Sequence, residues 1–289
     1  MTENVLVVAF DGMDKELVEE FDLENIPQEE FGDIDNSTGI KNRMTSELFA
    51  SFITGETYRD HGVEGLSKKL TFRDKISKHL IPDFLVSHVR GFRTLRDVIK
   101  QSKSLEDTNY IRDDLQVETI FEEIDASLPL YVPSYNPSMY WLVALPHAVV
   151  RYYGEERFVE ESRHDTEVRL RQGTATQPAF FDVSKDFWDF IMLHLHDPDA
   201  FQDTGLGDLE EEYERLDDIA GQILEEYGDE WTVIFMSDHG RPEKKSGPHE
   251  HNKNAFYSCN RELFGDETPH ITDFYDKILE LTDNEDKIK

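Results

Sequence analysis

Basic residues are scarce: 30 Lys and Arg stand against 62 Asp and Glu, a formal charge of −32 over 289 residues. So acidic a surface repels phosphate backbones, which excludes nucleic acid as a general partner. Cysteine is nearly absent. The lone Cys259 rules out an internal disulfide framework and suits a reducing cytosol. No apolar run approaches about 18 residues, so no stable membrane insertion is expected. The opening Met1-Thr2-Glu3-Asn4 lacks the basic and apolar regions of a secretory leader, and a cytoplasmic location is the expectation. Apolar residues at 38%, with 11% aromatic, are nonetheless too many for a disordered chain and suffice for a substantial core.

The acid excess runs through the whole chain, as it does in proteins of salt-in halophilic archaea. Molar salt shortens the Debye length to about 3 Å, against about 10 Å at 0.1 M. Self-repulsion should therefore lower the melting temperature when salt falls from molar to about 0.1 M, with divalent cations restoring part of the loss. Equal melting temperatures in the two buffers exclude the halophilic reading. One segment departs from this charge balance. Residues 66–103 carry a cluster of Lys and Arg, including Arg90, Arg93 and Arg96, interleaved with apolar residues. Such a segment pairs with an acidic face of this chain or of a second copy in a homo-oligomer, or it draws an anionic substrate toward a site.

Val5-Leu6-Val7-Val8-Ala9-Phe10 is wholly apolar and ends at Asp11-Gly12. It reads as a parallel strand buried on both faces. Trp231 to Met236 is a second such run, ending at Ser237-Asp238-His239-Gly240. Phe187 to Leu195 is a third, ending at His196-Asp197-Pro198-Asp199. Between the last two lies a helical stripe, Leu209, Tyr213, Leu216, Ala220, Ile223 and Tyr227, closed by Gly228. Strand, helix and strand in this order predict an α/β fold, a doubly wound and mostly parallel sheet sandwiched by helices. Leu128 to Pro133 reads as a short strand whose prolines favour an edge. Residues 155–171 read as a charged helix. No repeat or low-complexity linker divides the chain, so one domain over 1–289 is expected, least regular between 66 and 180.

Each buried strand delivers a carboxylate at its C-terminal end, where open α/β sheets build their sites. Asp11, Asp199, Asp238 and His239 gather there, with His249 and His251 following a Gly/Pro-containing loop. An Asp after a strand is ordinarily a cap or turn former. Several of them arriving in β/α order, with imidazoles, are instead the material of a binuclear divalent-metal site.

The ordered motifs resemble the alkaline-phosphatase superfamily, in its nucleotide pyrophosphatase/phosphodiesterase-like branch. They are Val7-Val8-Ala9-Phe10-Asp11-Gly12-Met13-Asp14, then Thr45 nine residues before Thr54-Gly55 with His61-Gly62 beyond. Pro198-Asp199 with Asp203 follows, then Ser237-Asp238-His239-Gly240 and a later His. The resemblance implies two divalent ions, zinc or manganese/magnesium. Asp11, Thr45, Asp238 and His239 would hold one, and Asp199, Asp203 and His251 the other, with His249 as the alternative last ligand. It implies hydrolysis of a small anionic phosphoester, mono- or diester, through a phospho-Thr45 intermediate. Ser46 is the fallback nucleophile or a helix cap. The superfamily inserts a substrate-selecting cap where residues 66–180 lie here.

Departures from the pattern matter. Asp203 stands where the family has a His, which shifts preference toward harder ions, unless His194 or His196 substitutes. Strand alternation puts those two on one face. The segment Met44-Thr45-Ser46-Glu47-Leu48 has neither the Cys nor the Pro of a sulfatase motif, which disfavours sulfate ester hydrolysis. Cofactor-independent phosphoglycerate mutases share the motifs but are much longer. A phosphotransferase, a phosphonate hydrolase, or a non-catalytic or one-metal descendant remain as rival readings.

Overall fold

The computed structural model describes residues 3–65, 110–136, 187–196, 198–199, 202, 208–241 and 251–282. The basic segment 66–103, the expected helix 155–171, Asp203 and His249 lie outside these residues, as does most of 66–180.

Among the described residues, six strands form one sheet: β1 (Asn4–Phe10), β2 (Glu30–Asp33), β3 (Ser127–Leu130), β4 (Phe190–Leu195), β5 (Trp231–Ser237) and β6 (Phe256–Cys259). Their order is β2-β6-β5-β1-β4-β3. β1 lies between β4 and β5, parallel to both, and β3 runs parallel to β4 at one edge. β6 and β2 add antiparallel strands at the other edge. The three wholly apolar runs are therefore the central strands, as an all-apolar pattern requires. β4 starts at Phe190, three residues later than the apolar run suggests, and Phe187 is 75% exposed. Pro129 sits in the edge strand β3, where a missing N–H is tolerated.

The period-2 alternation of β1 divides the core. Val5, Val7 and Ala9 face one side with Phe190, Met192, Ile234 and Met236. That side is covered by α2 (Thr45–Thr54), α4 (Ile120–Glu123) and α6 (Asp273–Leu281). Leu6, Val8 and Phe10 face the other with Ile191, Leu193, Val233 and Phe235, beneath α1 (Lys15–Glu20) and α5 (Leu209–Tyr227). Each fully buried side chain of this kind contributes about 1.5–3 kcal/mol. Helix α5 presents Tyr213, Leu216, Ala220, Ile223 and Tyr227 inward, so the stripe read from the sequence is its buried face. It connects β4 to β5, which lie on opposite sides of β1, so the connection spans the central strand. All four parallel strands thus end at one edge, and the site forms there.

Helix α2 begins at Thr45 itself and Met44 is its N-cap, without a side-chain cap bond. Ser46 is therefore not the N-cap of this helix. It lies in the first turn, where its carbonyl accepts from Ser134 Oγ at 2.7 Å.

The short helix α3 (Tyr58–His61) carries His61 into the core behind α2. Val63 N donates to His61 Nδ1 at 3.1 Å, so the proton sits on Nε2, 3.1 Å from Ser51 Oγ. Burial lowers the imidazole pKa from 6.5 to about 4. The unfolded chain binds the proton first, so the stability tied to neutral His61 is complete above pH 6.5 and drains as pH falls toward 4. The full difference is roughly 3 kcal/mol. In urea melts, wild type should lose its advantage over His61→Asn progressively between pH 7 and pH 4. A gap that stays constant with pH would show that this imidazole is not what titrates.

Candidate active site

Asp11 follows β1, Asp238 and His239 follow β5, and His194 and His196 close β4. Thr45 enters from the first turn of α2, and Asp199 and His251 from the connecting segments. The structure brings together every sequence-predicted site residue that lies within the described set. Asp11, Asp238 and His239 are fully buried, and Thr45, Asp199 and His251 are buried too. Thr45 Oγ lies 3.2 Å from Asp11 Oδ1 and 3.2 Å from His239 Nε2. His239 Nε2 is in turn 3.4 Å from Asp11 Oδ1 and 3.4 Å from Asp238 Oδ2. His239 Nδ1 faces the Gly240 carbonyl at 3.0 Å, and an N–H there leaves the Nε2 lone pair aimed at the hydroxyl and both carboxylates.

His251 stacks on His239, ring centroids 3.8 Å apart, and its Nδ1 is 4.0 Å from Asp199 Oδ1. Two groups of metal-ligand type result: Asp11, Asp238 and His239, and Asp199, His239 and His251, the ligand atoms of each within 4.8 Å of one another. His239 belongs to both, where the sequence reading gave it to one. Gly12, at φ +69°, makes the closeness feasible. A Cβ there would lie 3.0 Å from Asp199 Oδ1 and 3.2 Å from His239 Cε1.

A third group differs from expectation. His194 Nε2 and His196 Nδ1 approach the outer oxygen of Asp11, Oδ2, at 3.1 and 2.6 Å. These imidazoles gather on Asp11, and not in the group of Asp199 and His251 where a substitute for Asp203 would be needed. Burial lowers the pKa of His194, so it donates as a neutral ring, wedged edge-on against Phe49 at 4.9 Å.

Two adjacent buried carboxylates share one small volume. Burial alone would raise the pKa of Asp11, but hydrogen bonds from His194 and His196 outweigh it and hold the group well below the carboxylate range. Asp238 goes the other way. Burial and then the charge of Asp11 push it well above that range, despite a bond from Gly12 N. Asp238 Oδ2 is a buried oxygen that accepts no hydrogen bond from the described residues. Such an atom is costly unless a proton or a cation meets it. A divalent cation fits this donor set, which mixes carboxylate oxygen with imidazole nitrogen.

Sequence reasoning missed Glu47, a buried carboxylate in the first turn of α2. It accepts from the backbone of Lys41 at 2.6 Å, Asn42 at 3.1 Å and Gly65 at 3.1 Å, and so fixes the approach to Thr45. It also missed Asn36, whose buried amide donates to the Asp238 carbonyl at 2.8 Å. An acidic residue directly before the apolar Leu48-Phe49-Ala50 was the available signal for Glu47. Asn36, on an irregular segment, offered none.

The fold is that of the alkaline-phosphatase-like α/β proteins. An alkaline phosphatase of the Antarctic bacterium TAB5 superposes with a TM-score of 0.50 at 12% identity, covering 98% of this chain and 99% of its own. The chain belongs to the type I phosphodiesterase / nucleotide pyrophosphatase family, whose model matches residues 5–252. Among solved structures it is also similar to murine ectonucleotide pyrophosphatase/phosphodiesterase 5, at 15% identity and a TM-score of 0.46 over 84% of this chain. The chain spans 59% of that protein's length. A protein of Pyrococcus horikoshii matches at 16% identity and a TM-score of 0.45, over 98% of this chain and 97% of its own. No curated protein matches the sequence. Among the described residues, no helix is long and apolar enough to cross a membrane.

Proposed function

We propose that this chain is a metal-dependent hydrolase of phosphate mono- or diesters that works through a phospho-Thr45 intermediate. The observation that carries this is the Thr45 hydroxyl, 3.2 Å from both Asp11 Oδ1 and His239 Nε2 at the start of α2. Membership of a phosphodiesterase and nucleotide pyrophosphatase family supports the phosphoester class. Asp11, Thr45, Asp238 and His239 would hold one divalent cation. Asp199, Asp203 and His251 would hold the other, with His249 as the alternative to His251 and His239 beside both groups. When bound, zinc or manganese/magnesium supplies positive charge that acidifies a coordinated hydroxyl and neutralises oxygens in an in-line displacement.

The chain's own groups do the rest. Asp11 stays ionised because His194 and His196 donate to its outer oxygen, leaving the inner oxygen for the Thr45 proton. Thr45 Oγ attacks phosphorus, and the ester oxygen departs with the bond's electron pair. Water then attacks the phosphothreonine, and Thr45 Oγ leaves and recovers a proton. The positive end of the α2 dipole, where Thr45 is the first residue, favours the anion beside it. The chain folds as one domain over 1–289, with residues 66–180 as the region that selects the substrate.

Nitrophenyl phosphate and bis-nitrophenyl phosphate test this. Turnover of at least one should disappear after exhaustive chelation and return with manganese or zinc. Turnover that survives complete metal removal overturns the metal-dependent reading, and no turnover with any divalent ion favours a non-catalytic descendant.

A further inference from the structure

Asp14 lies three residues past Asp11, at the N-cap of α1, and is fully buried. A cap needs one bond, and Glu16 N supplies it to Oδ1 at 3.0 Å. The remaining donors come from the far end of the chain. Asn254 Nδ2 donates to Oδ1 at 3.1 Å, and Asn252 Nδ2 and Arg241 N donate to Oδ2 at 2.7 and 3.1 Å. Arg241 Nε stands 3.5 Å from the same oxygen. Two donors on each oxygen occupy the lone-pair positions of an ionised carboxylate. Lys15 N also donates to the Asn254 carbonyl at 3.1 Å, and Asn252 N to the Arg241 carbonyl at 3.0 Å. The packing admits no side chain at Gly240, where a Cβ would lie 2.1 Å from Asn252 Oδ1 and 2.7 Å from Asp14 Oδ2.

Arg241 is two residues after His239, and Asn252 directly follows His251. We propose that Asp14 is a positioning residue for the stacked imidazoles: by pinning residues 241 and 252 to one carboxylate, it sets the 3.8 Å separation of the His239 and His251 rings. Its bonds go to none of Asp11, Thr45 or Asp238. Its effect therefore falls most on the cation group of Asp199, His239 and His251, which holds both rings, and less on the group of Asp11, Asp238 and His239, which holds one; this consequence rests on the two-metal reading above.

Asp14→Asn is the sharp test, because it preserves shape while replacing one acceptor oxygen with an NH₂ that faces donors. Titration calorimetry with Mn²⁺ and with Zn²⁺ should show one of the wild type's two binding steps weakened by about 10–100-fold, the usual scale for partners behind a metal ligand, and the other weakened less. A readout without metal accompanies it. Ring-current-shifted imidazole resonances of His239 and His251 in the metal-free protein should move toward unstacked values in Asp14→Asn. Adding Asn252→Asp restores a donor–acceptor pair and should recover part of both signals. Asn252→Ala, which leaves the α1 cap intact, should reproduce the pattern should Asp14→Asn fold poorly. Unmoved ring signals, or two binding steps weakened equally, overturn the proposal. Ring signals that move in a protein whose wild type binds no divalent cation uphold the positioning role and remove the two-metal reading instead.

Discussion

Replacing Thr45 by alanine removes phosphoester hydrolysis, by about 10³-fold or more in kcat, the scale on which losing a nucleophile registers. The structure argues that the protein survives the change. Thr45 is the first residue of α2, but Met44 is the N-cap, so no cap bond is lost. Alanine is the better helix former. The hydroxyl's contacts are Asp11 Oδ1 and His239 Nε2, both on the reacting side. Melting temperature should stay near that of wild type, and divalent cations should still bind through Asp11, Asp238 and His239, whose spacing does not depend on the methyl or hydroxyl of Thr45. Thr45→Ser keeps an oxygen and retains measurable turnover. Acid quenching during turnover of a labelled phosphoester should trap phosphothreonine at residue 45. Near-native turnover in Thr45→Ala would transfer the role to Ser46, and a trapped phosphoserine would say the same more directly.

The central sheet and the helix between β4 and β5 were legible because they are ruled by periodicity. An unbroken apolar run has one stable home, between helices on two faces, and β1, β4 and β5 occupy it. β2 was not legible: Glu30-Phe31-Gly32-Asp33 carries no run and pairs only with β6 at the edge. The site residues at strand ends were readable for the same topological reason, since parallel strands deliver their C-termini to one edge. What periodicity cannot give is partnership across the sequence. Strand alternation put His194 and His196 on one face, yet nothing local distinguished Asp11 from Asp199 as their target. Asp14 was visible inside a motif without a role, because its partners Arg241, Asn252 and Asn254 lie 227, 238 and 240 residues away.

Asp238→Asn should have opposite effects on stability in the absence and presence of divalent cations. Without metal, burial and the adjacent charge of Asp11 raise the pKa of Asp238 well above its ordinary 3.8. The native state then holds a proton that the unfolded chain releases. Stability from this group is therefore complete below about pH 4 and is lost as pH rises through the native value. Asparagine mimics the protonated acid and cannot ionise, so the metal-free variant should equal wild type in acid and exceed it increasingly as pH rises. With cation the order reverses. At about 100 times its dissociation constant a bound ion adds about 2.7 kcal/mol to wild type. In the variant that increment shrinks, because the charged oxygen that accepts no hydrogen bond from the described residues is gone, and phosphoester hydrolysis falls with it. Thermal melts at pH 8, with chelator and then with Mn²⁺ or Zn²⁺, should thus cross. A variant that keeps the full cation increment shows that Asp238 is not a ligand. One that is destabilised equally in both buffers shows that its carboxylate serves the fold, through bonds such as the 3.3 Å contact from Gly12 N, rather than a metal.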